Sequence, residues 1–178
     1  MPPAEIDFAK IEIKKLELSD DFSGFNCDFE DDLGCNEFIH NENEAKLYQK
    51  ERHGITYLFH YEETMVGYVT LAMSSINSQR IDRRYREQVR LRSYPSLLIG
   101  RLAVDNNWRK KGIGKYLCRW CIGYAIKLSE EIGCRYVILE TNEAKIDFYV
   151  KSGFLKGQIL KDLRNNKIWM YQKIALEE

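Results

Sequence analysis

The chain has 178 residues, 44% hydrophobic and 30% charged, with 27 basic and 27 acidic side chains that cancel. That is the make-up of an ordinary soluble globular protein with room for one sizeable core, and it argues against an overall basic nucleic-acid binder. No apolar run approaches the roughly 20 residues of a membrane span, and "MPPAEIDFAK" lacks the basic-then-apolar profile of a secretory signal. No membrane association and a cytoplasmic location are therefore expected.

The charges are segregated. Residues 16–45 hold ten carboxylates and no Lys or Arg, whereas residues 80–120 hold twelve Lys or Arg against Asp82, Glu87 and Asp105. One anion-attracting face follows, unless the two regions neutralise each other. Cys27, Cys35, Cys118, Cys121 and Cys134 are odd in number and lack framework spacing, as free thiols do. Cys118 and Cys121 form a C-x-x-C inside a helical apolar pattern with no second half-site, so core packing is expected and no metal.

In chain order, "KIEIKKLEL" (10–18) alternates apolar and polar residues as a half-buried strand does. "DDLGCNEFIHNENEAKLYQK" (31–50) reads as one helix, acidic at its start and basic at its end. "GITYLFHYEETMVGYVTLAMSS" (54–75) predicts two strands around a tight Glu-Glu-Thr turn, and 80–94 predicts a helix stopped by Pro95. "SLLIGRLAVD" (96–105) is apolar enough for a central strand. Ile113, Leu117, Cys121, Tyr124, Leu128 and Ile132 recur at helical spacing up to Gly133.

"RYVILET" (135–141) predicts another buried strand. A short helix over 142–154 follows, with Asn142 as N-cap and Gly153 as a left-handed stop. Residues 157–174 predict a hairpin turning near Asn165 and Asn166. No repeat or Gly/Ser linker interrupts the chain, so residues 1–178 are read as a single domain. Its class is α/β (α+β), a mixed sheet with helices on both faces and one right-handed parallel crossover over 97–141.

The stretch "RLAVDNNWRKKGIGKYLC" (101–118) puts cations and two glycines at the mouth of a helix. A helix's first turn leaves N–H groups unpaired and positive, and glycine lets an anion reach them, which makes a phosphate site. A Walker loop would need Gly where Arg109 stands and Ser or Thr where Tyr116 stands; a dinucleotide fingerprint would need Gly where Leu117 stands. What remains is R-x-x-G-x-G between a strand and an amphipathic helix.

"LLIGRLAVDNNWRKKGIGKYL" followed by "VILETNEAKIDFYVKSGF" resembles the GNAT superfamily of acyl-CoA-dependent N-acetyltransferases. Arg109, Gly112 and Gly114 fall on that family's pyrophosphate loop. Asn142, Phe148, Tyr149, Gly153 and Phe154 fall on its second signature, although Ile146 stands where Ala is usual. "FNCDFEDDLGCNEFIHNENEAKLYQKE", "VGYVTLAMSS" and "YPSLLIGRLAVD" look like the branch that contains toxins acetylating the amino acid on charged tRNA. The GNAT fold so implied has a mostly antiparallel twisted sheet of about seven strands.

The resemblance implies acetyl-CoA as acyl donor and direct transfer to a primary amine in a ternary complex, releasing CoA. The group moved is an acyl group other than an aminoacyl group. The backbone of Leu102, Ala103 and Val104 would pair with the pantetheine arm, and a backbone N–H there, that of Val104, would face the developing oxyanion. Lys111, Gly112, Ile113, Gly114 and Lys115 would receive the diphosphate on their N–H groups, with Arg109, Lys110 or Lys111 adding charge. Asn142 and Phe148 would line the cofactor site. Tyr149 is the candidate general acid: a phenol with pKa about 10 keeps its proton at pH 7 and can pass it to a leaving thiolate.

Glu140, at a strand end, is the candidate base; a solvated or ion-paired role is the alternative. An α-amino group near pKa 8 is partly neutral already and asks less of a base than a lysine does. For the acceptor, Arg83, Arg86 and Arg90 share a helical face that suits phosphates, so tRNA is one candidate. The other use for these arginines is ion pairing with the acidic segment, within the chain or across a homodimer. A non-catalytic acyl-CoA-binding regulatory module is the remaining alternative.

Overall fold

In the computed structural model, which describes residues 3, 5–29, 33–41, 44–85, 87–158 and 168–175, the predicted strands form one mixed sheet of seven. They are β1 (Ile11–Lys15), β2 (Ile55–Tyr61), β3 (Thr64–Asn77), β4 (Ser93–Val104), β5 (Tyr136–Thr141), β6 (Leu155–Lys156) and β7 (Ile168–Lys173). Their hydrogen-bonded order is β1-β2-β3-β4-β5-β7-β6, which puts the apolar β4 in the middle, as its composition required. The only parallel pairing registered among the described strands joins Ser96–Leu98 of β4 to Tyr136–Ile138 of β5, while β4 itself continues to Val104. β1 with β2, β2 with β3, β5 with β7 and β6 with β7 run antiparallel.

The described residues form two compact units, one from 1–72 with 100–118, the other from 73–99 with 119–178. In the first, α1 (Cys35–His40) and α2 (Ala45–Glu51) bury Phe38, Ile39 and Ala45 together with Phe25, Leu58, Tyr68 and Ala103. The single helix expected over 31–50 is thus two short ones. Asn41 is extended (φ −76°, ψ 109°), and its N–H still closes on Glu37 O, so it ends α1 instead of continuing it. The β2–β3 turn is the expected tight one, with Glu62 and Glu63 at φ 47° and 67°. Two left-handed residues match the twist of the strands but strain two non-glycine side chains.

In the second unit, Ile76, Ile81, Tyr94, Tyr136, Ile138 and Tyr171 form the core. Among the described residues of 80–94 the expected helix is absent. Its residues form two single 3₁₀ turns, Ser78–Arg80 and Arg83–Tyr85, and then enter β4 at Ser93. Asp82 is the physical reason. Its carboxylate takes the Arg84 N–H at 2.9 Å and its own N–H goes to Tyr171 Oη at 3.0 Å, which diverts the backbone from a helical ladder.

The helix α3 (Ile113–Ser129) buries Ile113, Leu117 and Cys121 as expected, together with Cys118 and Ala125; Tyr124 and Leu128 are only half-buried, and Ile132 lies beyond the helix and is exposed. All five cysteines are buried and unbridged. In place of one helix over 142–154 there is a 3₁₀ turn, Glu143–Lys145, followed by α4 (Ile146–Lys151) and Gly153 at φ 97°. β6 and β7 pair antiparallel, but β6 lies before residue 157, where the hairpin was expected to begin; the expected turn at Asn165 and Asn166 lies outside the described residues.

Candidate active site

β4 delivers the chain into the glycine loop, and Asp105 fixes how it leaves the strand. Asp105 is 3% exposed; its carboxylate accepts the N–H of Asn26 at 2.8 Å and of Asn107 at 2.9 Å. Its own N–H donates to Val66 O at 3.0 Å. One 3₁₀ turn, Asn106–Trp108, follows, with Trp108 buried 5.4 Å from the Tyr61 ring. Asn106 adds a bond from Nδ2 to Asp28 O at 2.8 Å, so segment 26–28 is strapped to the loop.

Beyond Trp108 the backbone reverses hand twice. Lys110 has φ 60° and Gly112 φ 84°. Left-handed residues set next to right-handed ones turn successive N–H groups to one side, a concavity that accepts anions. A Cβ at Gly112 would also lie 3.2 Å from Phe8 Cζ, and Phe8 in turn stacks on Tyr116 at 5.1 Å. The first α3 bond registered runs from Tyr116 N to Gly112 O at 3.0 Å. Helix geometry therefore leaves the N–H groups of Ile113, Gly114 and Lys115 without intrahelical acceptors. With no acidic side chain in that turn, its positive end is unopposed from within.

The cations of the loop are not equivalent. Arg109 lies over the Phe29 ring at 4.2 Å and donates to Cys27 O at 3.5 Å. Lys111 donates to Pro3 O at 2.7 Å. Both are half-buried and engaged with their own chain, whereas Lys110 and Lys115 are exposed. Leu102 and Val104 are half-buried and Ala103 is buried, with Leu102 O taking a long contact from Cys35 Sγ at 4.0 Å.

In the second unit, Tyr149 on α4 is 7% exposed, edge-on to Phe148 at 4.9 Å and to Phe154 at 5.9 Å. Asn142 makes no side-chain cap bond, contrary to the N-cap expectation; only its carbonyl accepts, from Lys145 N at 3.3 Å. Its buried Oδ1 has no protein partner among the described residues. A buried acceptor without a partner costs stability unless water or a ligand meets it. Glu140 is half-buried, opposite Trp169 in the β5–β7 ladder.

The arginine expectation needs correcting. Without a helix over 80–94, Arg83 and Arg90 do not share a helical face; both are exposed, and Arg86 lies outside the described residues. Arg84 is gripped by Asp82 through Nε at 3.2 Å and Nη2 at 2.8 Å. Those bonds and the Arg84 N–H hold the Asp82 carboxyl down at about 2. Glu87 anchors the rest of the segment, taking Arg135, Tyr136 and Lys173.

Sequence reasoning missed Asp105, Phe29 and Phe8. An Asp at a strand end before Asn-Asn is a readable capping signal, but its partner Asn26 is 79 residues away.

Residues 20–154, in both units, match the family described as Acetyltransferase (GNAT) family. A tRNA-acetylating toxin of Mycobacterium tuberculosis (strain ATCC 25618 / H37Rv) is 32% identical over 92 residues, covering 51% of this chain and 54% of the toxin. The match thus spans about half the length of that curated relative. Among solved structures, a KacT mutant superposes with a TM-score of 0.77 at 22% identity, covering 93% of this chain and 95% of KacT. AtaT complexed with acetyl-methionyl-tRNAfMet gives 0.75 at 20% identity, covering 89% and 93%. An AtaT mutant toxin bound to acetyl-CoA and the C-terminus of the antitoxin AtaR gives 0.68 at 20% identity, covering 93% and 94%. At such identities these likenesses carry the fold alone. With the family match across both units and the glycine loop in its expected place, the chain belongs to the GNAT acetyltransferase family.

Proposed function

We propose that the chain transfers the acetyl group of acetyl-CoA to the α-amine of an aminoacyl-tRNA, residues 1–178 acting as one acetyltransferase domain. The observation that carries this reading is the loop between β4 and α3, where Lys110 and Gly112 take left-handed conformations ahead of a helix start with spare N–H groups. Such a loop fits a diphosphate. The orphaned Asn142 Oδ1 fits an amide N–H of the pantetheine arm.

Acetyl-CoA supplies, when bound, an activated thioester carbonyl. The N–H groups of Lys111 to Lys115 hold its diphosphate, with Lys110 and Lys115 as the phosphate-facing cations, since Arg109 and Lys111 already serve the fold. The backbone of Leu102, Ala103 and Val104 holds the extended arm by strand-like pairing, and the Val104 N–H supports developing negative charge. Phe148, half-buried on α4, lines the site of the arm. Tyr149 Oη donates the proton that the departing sulfur needs. An α-amine with pKa near 8 is partly neutral at pH 7, and Glu140 takes up the proton released as the new amide forms. No cysteine carries the acyl group, because transfer between two bound substrates requires none.

The aminoacyl acceptor is favoured over other primary amines by the tRNA-acetylating relative and by AtaT complexed with acetyl-methionyl-tRNAfMet. Radiolabelled acetyl-CoA incubated with charged tRNA, uncharged tRNA, polyamines and peptides tests it. Label on charged tRNA that is released by mild base with the aminoacyl ester is the expected result. Label on peptides or polyamines but not on charged tRNA overturns the acceptor assignment.

A further inference from the structure

We infer that Arg80 and Trp169 form a subsite for the 3′-terminal nucleotide of the acceptor RNA, next to Glu140; this rests on the aminoacyl-tRNA reading above. Glu140 and Trp169 face each other across the antiparallel β5–β7 pair, so both side chains leave the same face of the sheet from strands about 5 Å apart. Trp169 is half-buried against the core of the second unit. The Arg80 guanidinium lies over its ring, 5.4 Å from the centroid.

The position of Arg80 is built. Asn77 Oδ1 accepts the Gln79 N–H at 2.9 Å and caps the turn that carries Arg80. Arg80 O accepts Gln158 N at 2.7 Å, and Trp169 O accepts Gly157 N at 2.7 Å. A Cβ at Gly157 would come within 2.9 Å of Trp169 O, so residue 157 must be glycine for the backbones to approach this closely. Asp82 is paired with Arg84, and Glu87 with Arg135 and Lys173. Among the described residues no carboxylate forms an ion pair with Arg80.

A guanidinium has an N–H edge and a flat face; that of Arg80 is half-buried and restrained by the indole before any ligand arrives. The edge suits a phosphodiester and the plane suits an unpaired base. Set beside the proton acceptor for the amine, the pair fits a nucleotide whose own ribose carries the aminoacyl ester. A small amine offers nothing that uses it.

The test compares wild type with Arg80→Gln, which keeps the aliphatic stem over the ring, and with Trp169→Phe. Acceptors are charged tRNA and methionine methyl ester. Each variant is expected to raise KM for charged tRNA at least tenfold, with KM for acetyl-CoA and turnover of the ester within twofold of wild type. Arg80→Gln should also flatten the dependence of log affinity on log salt by about 0.7, the loss of one phosphate contact to a single strand. Unchanged KM and salt slope, or equal losses on tRNA and ester, overturn the subsite while leaving the acceptor assignment standing. Wild-type protein that acetylates the ester but never charged tRNA overturns both. Thermal melts confirm folding, and Arg80→Lys, with an expected intermediate KM, replaces Arg80→Gln if that variant does not fold.

Discussion

Glu87 closes its carboxylate on the guanidinium of Arg135, Oε1 2.7 Å from Nε and Oε2 3.3 Å from Nη2. Tyr136 Oη donates to the same Oε1 at 3.0 Å, and Lys173 Nζ is 3.1 Å away. Burial pushes the Glu87 carboxyl up, but the bonds from Arg135, Lys173 and Tyr136 outweigh it and hold the group below its ordinary value. A depressed carboxyl stabilises the fold above the unfolded pKa, and the contribution disappears as pH falls through the folded one. The melting temperature of wild type should therefore fall below about pH 4 more steeply than that of Glu87→Gln. At pH 7, Glu87→Ala should cost about 2–3 kcal/mol by stranding its donors. Parallel acid melting curves for wild type and Glu87→Gln would contradict this.

Asp105 should matter for both stability and cofactor affinity. Removing its buried carboxylate in Asp105→Ala leaves the Asn26 and Asn107 N–H groups without acceptors, at a cost of about 2–5 kcal/mol. Because the same side chain sets the exit of the loop from β4, acetyl-CoA affinity should fall as well. Chemical denaturation and calorimetry on one preparation measure the two losses.

The β2–β3 turn predicts a gain. Glu62 and Glu63 both sit at positive φ, which Asn-Gly adopts with less strain. Glu62→Asn with Glu63→Gly should stabilise by about 1 kcal/mol, or about 2–4 °C in melting temperature, with activity unchanged. The exposed Lys10–Glu62 pair lost in the process is worth little.

Tyr149→Phe should fold normally, because ring packing against Phe148 and Phe154 is retained. Turnover should drop by about 10²-fold or more with KM for acetyl-CoA within twofold, the mark of a lost proton donor. Unchanged turnover would remove Tyr149 from the chemistry.

These residues also mark what the sequence made legible. Alternation in β1, the apolar run of β4 and the helical spacing of Ile113, Leu117 and Cys121 follow from burial on one face, which local pattern records directly; Ile132, the last residue of that expected series, is exposed. The glycine loop was readable because Gly112 answers a local backbone demand. The segment 80–94 misled because arginine-rich sequence has good helix propensity, while its real anchors lie far along the chain: Tyr171 for Asp82, Arg135 for Glu87. For the same reason the strap from Asn26 to Asp105 and the Arg80–Trp169 contact had no local signature. The break at Asn41 is a weak stop between two stretches that each favour helix, and pattern alone does not separate them.

Calorimetric titration of acetyl-CoA into wild type and Gly112→Ala bears most directly on the proposal that the β4–α3 loop cradles a diphosphate. A methyl group at φ 84° and 3.2 Å from Phe8 must distort this loop. Micromolar binding by wild type and a loss of at least tenfold in the variant, with 4′-phosphopantetheine far less affected than acetyl-CoA, is the predicted result. Equal affinity of the two folded proteins for acetyl-CoA, or no uptake by wild type, would contradict it.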